Sequence, residues 1–237
     1  MPSLPPRLAA RFEQRTGKYT SVVQQTSRLS EGLALARFRC DQFIGKAVGA
    51  GEHIGVRVSE RDFRHYTLFQ VDALTGEYSV VIDLAPDGPG ARWALGHAPD
   101  QEIDMPAPAG ALRAGPADRH LIAGDATALA TVRALLDGIA GASGHATAAV
   151  EVPTPDVPAV AALLSEAQVL AAHGTPGRAL DAWLSALLTE GFQPQQAYLA
   201  GHAASVQRLR QTVRARAGLP RRAVHTQVYW ADGRTGL

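Results

Sequence analysis

The sequence predicts an antiparallel β-barrel followed by an α/β unit with a parallel sheet, divided as residues 1–112 and 113–237. Three observations carry this reading. Short β-rich runs separated by Gly and Pro fill the first half, strand-like and helix-like runs alternate through the second, and a Pro/Gly-rich stretch at residues 106–110 separates them. In the first half, residues 33–39, 52–58 and 77–84 have the composition and spacing of strands in a small barrel. Thr75-Gly76, between two β-rich stretches, reads as a hairpin turn.

The second half opens with the apolar run Leu121-Ile122-Ala123, a buried strand. Asp125 then caps a helix reaching about Ile139, with Leu129, Val132, Leu136 and Ile139 on one face. Ala148-Ala149-Val150-Glu151-Val152 is the next strand. Residues 178–189 form a helix with Leu180, Trp183, Leu184, Leu187 and Leu188 inward, stopped at Gly191. Ala197-Tyr198-Leu199-Ala200 is a further strand, turning at Gly201 into a helix with Val206, Leu209 and Val213 as its stripe. Residues 138–144 (G-x-x-G-x-x-G) read as a flexible helix exit, not a phosphate loop. Such alternation builds a parallel sheet that binds ligands beyond the carboxyl ends of its strands, where Gly124 and Gly201 fall. No G-x-G-x-x-G follows a strand, against the ordinary dinucleotide fold.

Composition narrows the chemistry. The 237 residues suffice for one large domain or two small ones, and 46% hydrophobic with 19% charged residues suits a folded soluble protein. A net charge of +1 provides no global field toward nucleic acid or a membrane. Cys40 is the only cysteine, which excludes an intramolecular disulfide and a Cys-ligated cluster, so redox chemistry here needs a bound organic cofactor. The eight histidines show no close His-x-x-x-His pair, and no metal site is assigned. Residues 1–7 lack the apolar core of a signal peptide, and no apolar run reaches the roughly 18 residues that span a bilayer, so the expectation is a cytoplasmic protein.

The most informative motif is Arg64-His65-Tyr66-Thr67, an R-x-Y-T, followed about sixty residues later by Ala123-Gly124-Asp125-Ala126-Thr127. An Arg can hold a pyrophosphate, a Tyr face can stack on a planar ring, and a neighbouring hydroxyl or amide can bond the ring edge. The second segment turns from strand to helix, a place for phosphate. Together they read as a flavin site followed by a nicotinamide site.

From Arg64 onward the chain resembles the siderophore-interacting protein family, flavin-dependent ferric-siderophore reductases of the ferredoxin–NADP reductase superfamily. The other blocks that carry the likeness are Asp87-Gly88-Pro89-Gly90-Ala91-Arg92-Trp93-Ala94, Leu199-Ala200-Gly201-His202-Ala203 with Leu209-Arg210, and Tyr229-Trp230-Ala231-Asp232-Gly233. The chain departs from the family where Gly90-Ala91 replaces Ala-Ser, Ala126 replaces Glu, and His202 replaces Glu.

The resemblance implies a flavin barrel and a nicotinamide domain. It assigns FAD to Arg64, His65, Tyr66, Thr67, Gly88, Gly90, Ala91, Arg92, Thr127 and Trp230, with Trp230 either covering the flavin or packing the tail. It assigns NADPH or NADH to Gly124, Asp125, Gly201 and His202. Six arginines and no acid lie between Arg208 and Arg222; Arg208, Arg214 and Arg216 are read as a docking patch for a nucleotide 2′-phosphate or an anionic ferric chelate, the alternative being a solvated helix face. The implied activity passes electrons from NAD(P)H through FAD to a ferric siderophore, with no catalytic acid or base. Two alternatives stand: a weakly flavin-binding protein kept for ligand binding, and a reductase of a ferredoxin or flavodoxin.

Overall fold

The structure, a computed structural model, describes residues 18–59, 62–85, 88–110 and 112–233. The signal-peptide reading of residues 1–7 and the Asp87 position of the second block lie outside the described residues. The chain forms two compact units, the second beginning at Leu112.

The first unit is a six-stranded antiparallel sheet in the order β3-β4-β5-β2-β1-β6. Its strands are β1 (Lys18–Arg28), β2 (Leu33–Arg39), β3 (His53–Arg57), β4 (Phe63–Asp72), β5 (Glu77–Asp83) and β6 (Glu102–Pro106). The edge strands nearly meet. His53 and Ala109 exchange two N–H···O=C bonds of 3.1 Å, one from each amide, so the Pro/Gly-rich stretch read as a connector also closes the barrel. The β4–β5 hairpin turns at Gly76, whose φ is +74° and where a Cβ would come within 2.5 Å of the Cys40 carbonyl oxygen. Only glycine meets both demands. Phe38, Phe43, Tyr78 and Val80 fill the interior, joined by Ala91, Trp93 and Ala94 of α1 (Pro89–Gly96).

The second unit is a five-stranded parallel sheet in the order β11-β10-β7-β8-β9. The strands are β7 (Arg119–Asp125), β8 (His145–Val152), β9 (Gln168–Ala171), β10 (Gln196–His202) and β11 (Val224–Trp230). The helices are α2 (Leu129–Gly141), α3 (Val157–Leu163), α4 (Arg178–Thr189) and α5 (Ala203–Arg216). Leu121, Leu180, Leu184, Leu199, Val206, Leu209 and Val213 make one apolar layer, as the 3.6-residue periodicity of α4 and α5 requires. Asp125 caps a 3-10 turn, Ala126–Ala128, before α2 begins. Gly138 and Gly141 lie within α2, so the exit from that helix is shorter than the glycine spacing suggested.

Chain order reverses between β7 and β10, since β8 and β9 follow on one side of β7 and β10 and β11 on the other. This is the topological switch point, and ligands of open parallel sheets bind outside the carboxyl ends of the strands there. Among the described residues no helix is long and apolar enough to cross a membrane.

Candidate cofactor sites

In the first unit the pleat divides the R-x-Y-T motif between two faces. Arg64 pairs with Val56 and Tyr66 with Ile54, while His65 pairs with Gly55 and Thr67 with His53. Directly paired residues share a face, so Arg64 and Tyr66 point one way and His65 and Thr67 the other, with His53. The Tyr66 ring stacks on Trp93 of α1, with centroids 5.5 Å apart and planes at 15°. Burial pushes the Tyr66 phenol well above its ordinary range, so it stays neutral and donates.

The opening turn of α1 crosses the same two side chains. A Cβ on Gly90 would lie 2.6 Å from the Tyr66 hydroxyl and 3.7 Å from Arg64 Cγ. Gly88 is the N-cap and Pro89 occupies the first turn, leaving the amides of Gly90 and Ala91 without partners one turn back in the helix. Ala91's side chain packs into the barrel core, and Arg92 is exposed. The fold thus gathers Arg64, Tyr66, Gly88, Gly90 and the Ala91 amide, and sets His65 and Thr67 on the opposite face. A guanidinium, two helix amides and a neutral phenol suit a flat ring carrying a pyrophosphate.

In the second unit Gly124-Asp125 ends β7 and Gly201-His202 ends β10, with Ala200 paired to Gly124 across the switch point. Asp125 organises this edge. Its Oδ1 accepts from the Thr127 amide at 2.9 Å and from the Thr127 hydroxyl; its Oδ2 accepts from the His202 amide at 2.7 Å and from Trp230 Nε1 at 3.1 Å. Burial raises its carboxyl above the ordinary range while these donors pull it down.

Gly201 follows from the same carboxylate. Its φ is +120°, and a Cβ there would fall 2.5 Å from Asp125 Cγ. Gly124 is equally confined, since a Cβ would sit 2.7 Å from that of Ala128. The Thr127 hydroxyl and Asp125 carboxylate are therefore committed to each other. What this edge offers a ligand is backbone and the indole of Trp230, which is 36% exposed, while the His202 ring is buried behind it.

Glu151 carries a role that sequence reasoning missed. From the end of β8 it accepts hydrogen bonds from the amides of Gly177, Ala179 and Leu180, at 2.8, 2.8 and 3.1 Å, and so caps α4. The α4 N-terminus is therefore filled by a protein anion, leaving no room for phosphate. The available signal was an acid inside an apolar strand run, which implies a buried partner.

The three candidate substrate arginines do not form one patch. Arg208 donates to Thr175 Oγ1 at 3.2 Å and Arg216 to Thr189 Oγ1 at 2.9 Å, so both lie on the side of α5 that faces α4. Arg214 is turned about 120° from Arg208 around the helix. It lies about 16 Å along the axis from Ala203, and Arg216 about 20 Å, whereas Arg208 is about 8 Å from that end. Only Arg208 stays near the carboxyl edge of the sheet.

The siderophore-interacting protein family matches residues 117–233. Among solved structures, the siderophore-interacting protein of Acinetobacter baumannii aligns with a TM-score of 0.75 at 16% identity, covering 92% of each chain. Phthalate dioxygenase reductase, described as a modular structure for electron transfer from pyridine nucleotides to 2Fe-2S, aligns with a TM-score of 0.73 at 16% identity, covering 93% of this chain and 71% of the other. The ferredoxin reductase of carbazole 1,9a-dioxygenase, in its FAD apo form, aligns with a TM-score of 0.70 at 18% identity, covering 90% and 68%. No curated protein sequence matches the chain. The barrel followed by a parallel-sheet unit is the fold these structures share, and residues 117–233 are similar to the siderophore-interacting protein family.

Proposed function

We propose that the protein is a flavin-dependent reductase that takes electrons from NADPH or NADH and delivers them to a ferric siderophore, releasing iron as Fe(II). The observation that carries this reading is the switch point of the parallel sheet, where Gly124-Asp125 and Gly201-His202 end adjacent strands in the segment that matches the family. The likeness to reductases whose descriptions name pyridine nucleotides and FAD supports it.

In this reading the barrel unit holds FAD. Arg64 and the amides of Gly90 and Ala91 receive the pyrophosphate, and Tyr66 lies against the flavin. The second unit takes the nucleotide at the carboxyl ends of β7 and β10, where Gly124 and Gly201 keep the strand ends together and Trp230 supplies an exposed ring. Arg208 is the one arginine of the former trio assigned to an anionic group. Bound flavin supplies the conversion of a two-electron donor into single electrons, and the protein contributes binding and orientation. Siderophore oxygen ligands suit Fe(III) far better than Fe(II), so reduction releases the metal without a protein nucleophile. We place this activity in the cytoplasm.

Colour provides the first test. The purified protein, supplied with FAD and passed through a desalting column, should retain flavin absorption and bleach on addition of NADPH without oxygen. A ferric siderophore should then restore the yellow colour and yield Fe(II), measured with a ferrous chelator. A colourless protein that takes up no FAD overturns the reading in favour of a ligand-binding role. Bleaching without Fe(II) formation keeps the reductase and removes the siderophore.

A further inference from the structure

At the carboxyl end of β10 the fold buries an imidazole and leaves it unsatisfied. The His202 side chain is 4% exposed, and both its ring nitrogens are buried without a hydrogen-bond partner. Its Nε2 lies 3.5 Å from Oδ2 of Asp232, which is 80% exposed, a contact that becomes an ion pair only when the ring is protonated. Trp230 lies over the same ring, with centroids 4.4 Å apart and planes at 59°. The pairing of β10 and β11 shifts between Gly201 and His202, so that Gly201 pairs with Val228 and His202 with Trp230. Such a bulge re-aims side chains, and here it sends Tyr229 to the Thr131 hydroxyl and Trp230 to His202 and Asp125.

We infer that His202 and Asp232 form a proton-operated latch that sets how firmly Trp230 is held at the end of β11. With a proton on the ring, the Asp232 contact becomes a charge pair through Nε2 and the imidazolium rests against the indole. Without it, the ring is uncharged and offers Asp232 at most one neutral N–H, so the hold on the end of β11 is weaker. Asp125 on β7, which accepts from the His202 amide, and Asp232 after β11 are the acids beside it, and His202 stands at the N-cap position of α5. The sign follows from the Asp232 contact itself, which is an ion pair only with the proton in place: the latch tightens as pH falls. The inference needs no bound cofactor and stands whether or not the protein is a reductase.

The test follows the indole N–H signal of Trp230 by NMR from about pH 5 to 8, the range in which imidazoles titrate. The signal is identified by its loss in Trp230→Phe. In the parent protein it should move in a single titration step. His202→Gln, similar in bulk but never charged, should abolish the step. Asp232→Asn changes an exposed side chain and leaves the core intact; it should move the midpoint down by about half a pH unit or more, because the imidazolium loses its partner. A parent signal that does not titrate, a step that survives in His202→Gln, or an unmoved midpoint in Asp232→Asn would each overturn the latch.

Discussion

Two residues apart on β4, Arg64 and Tyr66 share a face, yet they are satisfied differently. Tyr66 is stacked on Trp93, whereas the Arg64 guanidinium donates to the carbonyl of Phe63, its own neighbour, at 2.8 Å. That bond is local and can be exchanged for a stronger acceptor without disturbing the core. Arg64→Ala should therefore weaken FAD binding about ten- to a hundredfold, the worth of one or two hydrogen bonds to a charged group, and change the denaturation midpoint little. Arg64→Lys should recover only part of the affinity, since an ammonium lacks the two-pronged fork. Equal FAD affinity in parent and Arg64→Ala, measured by fluorescence quenching, would remove the pyrophosphate role from this residue. The sequence reading put His65 and Thr67 beside Arg64 and Tyr66, and strand alternation separates the two pairs onto opposite faces. The reason for Gly201 was not legible in the sequence, because the carboxylate that excludes its Cβ arrives from Asp125 on a different strand.

Among the elements, those with a full apolar stripe were readable almost to the residue. β2 spans Leu33–Arg39 and α4 spans Arg178–Thr189, the limits their patterns predicted, and Gly191 turns with φ +92° just beyond α4. β1, β9, β11 and α3 escaped the same reading. β1 is rich in polar side chains, β11 is an edge strand with alternating exposure, and β9 and α3 are too short for periodicity to accumulate. Long-range caps leave no local pattern either, and the cap on α4 is supplied by Glu151, 26 positions before Gly177. Glu151→Ala strands three buried amides and should destabilise the second unit by about 1–3 kcal/mol in chemical denaturation. Glu151→Gln keeps one acceptor oxygen and should lose less. Identical stability in all three proteins would mean that water replaces the cap.

On the scale of the whole molecule, each unit closes its own core: Phe38, Tyr78 and Trp93 belong to the first, Leu121, Leu184 and Leu209 to the second. The α/β alternation and the Gly/Pro-spaced β-runs pointed to a barrel followed by a parallel sheet because each architecture has its own period. Strand order was another matter, since the switch between β7 and β10 depends on pairings no local pattern encodes. Separate cores imply separate responses to damage. Leu184 is fully buried in α4, and Leu184→Ala should cost about 2–5 kcal/mol through lost burial and the cavity left behind. Under conditions where amide exchange reports opening equilibria, that loss should accelerate exchange in β7, β8, β10 and α4 by at least about tenfold. Peptides from β2, β4 and β5 should exchange at the parent rate. FAD should act in the opposite sense and elsewhere, slowing exchange at residues 63–67 and 88–93, since a ligand that binds only the folded unit stabilises it by mass action. Equal acceleration of both sets of peptides by Leu184→Ala would show that the two cores open together, and the cofactor sites would then have to be treated as one cooperative structure.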